Sequence, residues 1–357
     1  GMRKETKEIV TAPVQNEPIA KSYASASLLT DLMVGKYVDH LPFYRQVQMF
    51  KRLGVCIPPS TIEVWFHDVA DLMRPAYYRL RELVLSTDYI QSDETTVPII
   101  DNEKHRTVKG YLWLVRSMVN GLVFFAYNEG SRGAKMVLQL FKDYQGAIQT
   151  DGYAGYNILE KQEGITTLGC WVHTRRYFDR ALTHDKARAE YALAQIGMLY
   201  DVESMADDQH MDTLQRMELR KRLAYPIIRA FEKWCICEQG NVLPKSPIGK
   251  AIGYFLNNSR RLVRYTMDGR YLPDTNLIEN SVRPVAVGRK NYLFCGNHDA
   301  AEDAAVIYSL MGCCKAADVD FKQWMNYFLN HVHEYDSDYS KDLVNLLPHS
   351  LKKQGII

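Results

Sequence analysis

Apolar side chains in the first part of the chain recur at helical spacing. Leu28, Leu29, Leu32, Met33 and Tyr37 form one stripe, which predicts a helix over 28–40. A second helix is predicted over 43–53, stopped by Gly54. A third starts at Ser60, where Ser60 and Glu63 fit a capping box, and runs through Trp65 towards Leu85. Pro75 should kink or split it. Residues 1–24 read as a polar, proline-containing lead-in. Helix, glycine turn and Ser-Thr-initiated helix is the outline of a helix-turn-helix. Yet the segment Thr61-Ile62-Glu63-Val64-Trp65-Phe66-His67-Asp68-Val69 carries no Lys or Arg. Phosphate contacts need cations, so a helical hairpin packed on the following segment is preferred to a DNA-reading helix.

From Asp88 the spacing shifts to that of strands. Segments 110–117 and 122–127 are β-rich, and Val119-Asn120-Gly121 supplies the hairpin turn between them. A helix follows over 133–144 with Met136, Val137, Leu140 and Phe141 inward, then a strand that ends at Asp151. A short helix through Leu159 and a strand over 165–172 complete the series. Antiparallel hairpins giving way to α/β units predict a mixed sheet covered by helices. After Thr174 the pattern is helical to about Tyr265, with examples over 187–205 and 211–238, the latter interrupted at Pro226. Two closing helices are predicted over 300–317 and 321–331, and the tail beyond Glu334 reads as polar and peripheral.

Composition narrows the class. The chain has 357 residues, 46% of them hydrophobic, which suits two or three domains and argues against global disorder. No run of about 18 apolar residues is present, so no membrane span is expected. The first residues carry no apolar signal core, and Gly1 before Met2 reads as an expression scar. Seven cysteines without a C-x-x-C pair suit reduced thiols in a cytoplasmic protein better than a zinc site. The net charge of +2 hides a local bias. Between Val242 and Gly296 nine Lys or Arg face three acids, with Tyr254, Tyr265, Tyr271 and Tyr292 interleaved. A solvated face is one reading of such a run. A polyanion-binding surface is the other, and is preferred.

The candidate chemistry is acidic. Tyr89-Ile90-Gln91-Ser92-Asp93-Glu94 reads as a strand ending in a carboxylate pair, and alternation turns Asp93 and Glu94 to opposite faces. Gly146-Ala147-Ile148-Gln149-Thr150-Asp151-Gly152 is a second strand ending in an acid. Each acid alone could be a turn residue or a solvated strand end. Together they suggest a metal-binding or acid/base site at strand ends, and such a site needs a third acid. Glu279 is the candidate. It lies on a helix predicted to be capped at Asp274 or Thr275, on one face with Val282 and Arg283.

The blocks Ser-Asp-Glu-Thr, Gln-Thr-Asp-Gly-Tyr-Ala-Gly-Tyr-Asn and Gly-Cys-Trp-Val-His-Thr-Arg-Arg-Tyr-Phe come in this order. They are followed by Asn-Leu-Ile-Glu-Asn-Ser-Val-Arg-Pro and Gly-Arg-Lys-Asn-Tyr-Leu-Phe, and preceded by Lys36-Tyr37-Val38-Asp39-His40-Leu41-Pro42-Phe43-Tyr44-Arg45-Gln46. From about Ala20 to Phe328 the chain resembles the insertion sequence 66 family of bacterial transposases. The resemblance implies an α/β fold with a ribonuclease-H-like (retroviral-integrase-like) catalytic core, an N-terminal helical hairpin and an inserted helical subdomain. It divides the chain into a lead-in (1–24), a helix-turn-helix-like region (25–87), the first part of the core (88–174), the helical insertion (175–265), the rest of the core with closing helices (266–331) and a tail (332–357). It implies a catalytic, metal-holding triad of Asp93, Asp151 and Glu279 with two Mg2+ (or Mn2+) ions taken up with DNA. DNA contacts are expected from Arg260, Arg261, Arg264, Arg283, Arg289 and Lys290, with His173 and Arg176 beside the site. The implied activity is cleavage of transposon ends and transfer of the freed 3′-hydroxyl to target DNA. Implied partners are DNA, further copies of the chain and accessory proteins of the same element, and no membrane. Family members carry a longer N-terminal region with a cysteine-rich zinc segment and a coiled coil, so this chain reads as truncated or as a shortened member. A DNA-binding remnant without full activity is the alternative. Two-carboxylate glycoside hydrolysis is disfavoured, because a neutral sugar gives the basic segment no role.

Overall fold

The computed structural model describes residues 17–357 apart from 102, 104, 131, 337 and 339. Most of the expected lead-in therefore lies outside the described residues. Three helices come first: α1 (Ala26–Tyr37), α2 (Phe43–Arg52) and α3 (Pro59–Leu85). The expected start of α3 is corrected. Pro58 is its N-cap and makes no side-chain cap bond, and Pro59 opens the helix, where a missing N–H costs nothing. The Ser60–Glu63 capping box does not form. Pro75 does not split α3 either. It stands on the exposed side, where water can take the carbonyl bond it cannot make.

Five strands build one mixed sheet in the order β3-β2-β1-β4-β5. They are β1 (Tyr89–Asp101), β2 (Arg106–Ser117), β3 (Val123–Asn128), β4 (Gly146–Gln149) and β5 (Ile165–Leu168). The first three are antiparallel, whereas β4 runs parallel to both β1 and β5. Gly121, at φ +75°, makes the predicted hairpin turn between β2 and β3. Helix α4 (Ala134–Leu140) is shorter than predicted, because Phe141 and Tyr144 turn into the core and the Tyr144 hydroxyl donates to Ala147 O at 3.1 Å. Strand β5 also ends early. Beyond Leu168 the amides of Gly169 and Trp171 bond to Arg261 O and Pro273 O, at 3.2 and 2.9 Å, and the chain turns into α5 (Trp171–Ala181).

Then follow α6 (Lys186–Asp208), α7 (Thr213–Leu219), α8 (Tyr225–Gln239) and α9 (Pro247–Val263). With α5 they enclose a helical core that includes Trp171, Phe178, Phe231 and Phe255. Helix α10 (Asn276–Tyr292) follows and packs against β1 and β2, burying Ile278 and Val285. The larger core lies between the sheet and α1, α3, α11 (His298–Ala316) and α12 (Phe321–His331). Gly312 lets α11 lie directly on β3, since a Cβ there would stand 2.7 Å from Val123 Cγ1. The tail is not peripheral. Leu346, Leu347 and Leu351 are buried in the main core around α13 (Pro348–Lys353), and Trp324 Nε1 donates to Leu346 O at 2.9 Å.

Pro226 interrupts the predicted 211–238 helix through a wide π turn at Arg220–Ala224 that precedes α8. The turn presents Arg220, 1% exposed, to the helical core. Its guanidinium donates to both oxygens of Glu203, at 2.8 and 2.6 Å, and to Tyr265 O and Asp268 O at 3.0 and 2.8 Å. Losing Arg220 leaves Glu203 with Arg216 alone, at 3.1 Å, and takes the donor from two carbonyls, a disruption of a buried ion pair that costs about 3–5 kcal/mol. Arg220→Met should therefore lower stability by roughly that amount in urea unfolding, and adding Glu203→Met should restore part of it. A neutral Arg220→Met variant would contradict this account.

Candidate functional site at the ends of β1 and β4

The site begins with two glutamines. Strands β1 and β4 pair in parallel only over Tyr89–Gln91 and Ala147–Gln149, so Gln91 and Gln149 are the last partners. Both are fully buried, and Gln91 Nε2 donates to Gln149 Oε1 at 2.9 Å. Side chains on a strand repeat every second residue. Asp93 therefore shares the face of Gln91, but β1 does not end at the expected carboxylate pair, because its pairing with β2 carries it on to Asp101. Asp151 lies two residues past Gln149, beyond the end of β4, and its charge reaches Asp93.

The same glutamines hold the segment that delivers the third acid. Gln91 Nε2 also donates to Asp274 O at 2.9 Å, and Gln149 Nε2 donates to Leu272 O at 2.7 Å and Gly169 O at 2.9 Å. The Tyr89 hydroxyl donates to Gln149 Oε1 at 2.7 Å and accepts from Leu272 N at 3.0 Å. Residues 272–275 are thus fastened across the sheet end immediately before α10. Thr275 is the N-cap, though without a side-chain cap bond, and Asp274 Oδ1 accepts from Asn276 N at 3.0 Å. Glu279 lies in the first turn of α10, where the helix dipole favours an acid.

The three acids differ in surroundings. Asp93 Oδ1 accepts from Glu94 N at 2.8 Å. Burial first, then the charges of Glu94 and Asp151 and, last, of Glu279, push its carboxyl up to about 7. Asp151 Oδ1 accepts from Tyr153 N at 2.9 Å in a local turn. Gly152 is required in that turn, because a Cβ there would stand 2.5 Å from the ring of Tyr254 on α9, whose hydroxyl accepts from Gly152 N at 3.0 Å. Glu279 Oε2 accepts from Arg176 of α5 at 2.7 Å, while its Oε1 is buried without a hydrogen-bond partner. His173 Nε2 stands 3.8 Å from that oxygen, and burial holds His173 below the usual histidine range. Glu94 points to the opposite face. Its buried side chain accepts from the Tyr156 hydroxyl at 2.7 Å and pairs with Arg132, which lies 3.7 Å over the Tyr153 ring.

An all-oxygen donor set with an orphaned carboxylate oxygen and a carboxyl raised by burial and by like charges fits hard divalent cations. Among the described residues, the one trio of His, Cys, Asp or Glu with ligand atoms all within 4.8 Å is His67, Asp71 and Asp303. The oxygens of Asp93, Asp151 and Glu279 do not close up that far. At the compact trio, Arg74 already bonds Asp303 and Asp71, at 2.7 and 3.0 Å. A cavity of about 880 Å³ borders α10 at Leu277, Asn280, Ser281 and Pro284 and includes none of the three acids.

The predicted DNA-binding cations divide in two. Arg261 is 6% exposed and donates to Glu160 at 2.8 Å. Arg264 donates to Thr167 O at 2.8 Å, and Arg289 donates to Thr95 Oγ1 and Thr96 O, at 2.9 and 2.7 Å. These three are tied to the protein itself, because each meets an acceptor on the sheet or its connections. Arg260, Arg283 and Lys290 are exposed, as are Lys245 and Lys250. The glutamine pair was missed in the sequence. Its signal was present: two glutamines in phase with two acids on apolar strands.

Asp93 yields a pH test. Its folded-state value lies above that of an unfolded aspartate, so the folded protein binds the proton more tightly. Ionised Asp93 then weakens folding increasingly as pH rises from about 4 to about 7. In chelator-treated protein, Asp93→Asn should raise Tm at pH 7.5 and give little gain at pH 4.5. Equal shifts at both pH values would refute the assignment.

The chain matches the model of the family described as "Transposase IS66 family" over residues 21–303. Two uncharacterized proteins of Sinorhizobium fredii (strain NBRC 101917 / NGR234) are similar to it. Protein y4qI is 30% identical over 341 residues, covering 91% of this chain and 62% of that protein. Protein y4jD is 27% identical over 362 residues, covering 98% and 70%. The chain spans about three-fifths of the length of y4qI. Among the described residues no helix is long and apolar enough to cross a membrane.

Proposed function

Because this chain belongs to the IS66 family of transposases, we propose that it is an Asp-Asp-Glu DNA transposase that cleaves transposon ends and transfers the freed strand to target DNA. One observation carries the reading: Asp93 within β1 and Asp151 just past β4, with a helix-borne glutamate whose charge, like that of Asp151, reaches Asp93. The strand order, with three antiparallel strands followed by two parallel ones, supports a ribonuclease-H-like core.

In this reading Asp93, Asp151 and Glu279 would hold two Mg2+ or Mn2+ ions. When bound, these would supply an activated oxygen nucleophile and stabilise the departing oxygen in an in-line displacement at phosphorus. Asp93 has both other acids within electrostatic reach, so the three carboxylates would hold the ions together. Asp151 would be presented by its own turn, and Glu279 by the first turn of α10. The first displacement consumes water and frees a 3′-hydroxyl. In the second that hydroxyl attacks a target phosphodiester and releases a target 3′-oxygen. Joining two ends calls for more than one copy of the chain, and accessory proteins of the same element are further partners. The exposed cations Arg260, Arg283 and Lys290 hold the DNA backbone, whereas Arg261, Arg264 and Arg289 support the fold.

Two measurements test this. In a Mg2+-dependent nicking assay on DNA carrying the element's ends, Glu279→Gln should reduce cleavage at least about 1000-fold, about 4 kcal/mol of transition-state stabilisation, with DNA affinity near wild type. Wild-type binding without any cleavage would favour a DNA-binding remnant instead. Replacing Arg260, Arg283 and Lys290 together with Ala should flatten the salt dependence of binding. The slope should fall by about 0.9 for each phosphate that is no longer neutralised. An unchanged slope would remove these residues from the interface.

A further inference from the structure

Helix α5 places His173 and Arg176 three residues apart on one face, above Glu279. One guanidinium nitrogen of Arg176 donates to Glu279 Oε2 at 2.7 Å and another stands 3.3 Å from His173 Nε2. This trio is incompletely satisfied. Glu279 Oε1 and His173 Nδ1 are both buried and have no hydrogen-bond partner. A buried carboxylate oxygen left bare is costly unless something else is to occupy it. Arg176 itself is 45% exposed, so its guanidinium meets solvent as well as Glu279. Its helix is also anchored at the point where residues 272–275 are fastened. Trp171 N donates to Pro273 O, and the Thr275 hydroxyl donates to Cys170 Sγ at 3.2 Å. The two helices that carry Arg176 and Glu279 therefore keep a fixed separation while the side chains exchange partners.

We propose that Arg176 is a transferable counter-ion. Without metal it neutralises Glu279. When Glu279 turns to a divalent cation, the released guanidinium takes a non-bridging oxygen of the DNA phosphate at the site. The exchange matches charge with charge: the metal replaces the guanidinium at the carboxylate, and the phosphate replaces the carboxylate at the guanidinium. Guanidinium suits both partners, since it presents paired donors to carboxylate and phosphate alike. No covalent bond changes in this step. The inference rests on the metal-site reading given above and adds a residue to it.

The test uses the full chain and Mn2+ alone, with free Mn2+ followed by electron paramagnetic resonance. Arg176→Ala should tighten Mn2+ binding by roughly two- to five-fold, the scale of a solvent-exposed ion pair. In a Glu279→Gln background the same substitution should have no effect, because there is no carboxylate left to release. An equal gain in both backgrounds would mean a general charge effect and would overturn the exchange. The second arm measures the salt slope of DNA binding. With Mn2+ present, Arg176→Ala should lower the slope by about 0.9, and Arg176→Lys should keep it. Without metal, Arg176→Ala should leave the slope unchanged. A slope equally reduced with and without Mn2+ would overturn the transfer to phosphate. Asp93→Asn serves as the control on the premise. If it leaves Mn2+ binding intact, the metal-site reading falls and this inference with it. If it abolishes binding while Arg176→Ala acts alike in both backgrounds, only the exchange falls.

Discussion

The hydrogen bond between Gln91 and Gln149 governs the geometry of everything acidic at the sheet end. It closes the short parallel pairing of β1 and β4, and the remaining amide hydrogens reach over the strand ends to Leu272 O, Asp274 O and Gly169 O. Buried amide hydrogens must find acceptors, and these find them in Gln149 itself and on the two chain segments that begin α5 and α10, while Gln91 Oε1 is left without a partner. A polar pair in a buried sheet thus sets the register of two strands and the starting points of two helices. The positions of Asp93, Asp151, Glu279 and Arg176 follow from that one contact.

The sequence announced the strands and the acids because both obey short periods. Alternation alone separated Asp93 from Glu94, and Glu94 does turn to the Tyr156–Arg132 side. Helices with an apolar stripe, such as α1 and α12, fall close to their predicted spans. What stayed hidden depends on long-range partners. Gln91 and Gln149 are ordinary polar residues until residues 272–274 cover them. The same holds for the tail, whose Leu346, Leu347 and Leu351 are too few to form a pattern but dock on a core built elsewhere. At α3 a stronger local rule won, since Pro58 and Pro59 start the helix before Ser60 can cap it.

Charge runs proved a blunt guide for a similar reason. Arg260 and Arg261 are neighbours in sequence, yet one faces water and the other is sealed against Glu160 and Asn157. Helical geometry turns adjacent residues by about 100°, so a basic stretch on a helix is always divided between surfaces. Burial distinguishes the cations available to a polyanion from those already committed to the fold.

The packing of Gly152 on Tyr254 carries a consequence for how such a chain can vary. Tyr254 belongs to α9, stacks on Tyr177 of α5 at 4.3 Å, and caps the turn that aims Asp151. Two turns of helix later the carbonyl of Arg261 receives the amide of Gly169, where β5 ends. The helices that look like a removable cassette are therefore part of the wall of the acidic site. Chimeras that exchange them between relatives must carry α9 along with the 151–153 turn, as one inherited unit, or the second aspartate loses its aim.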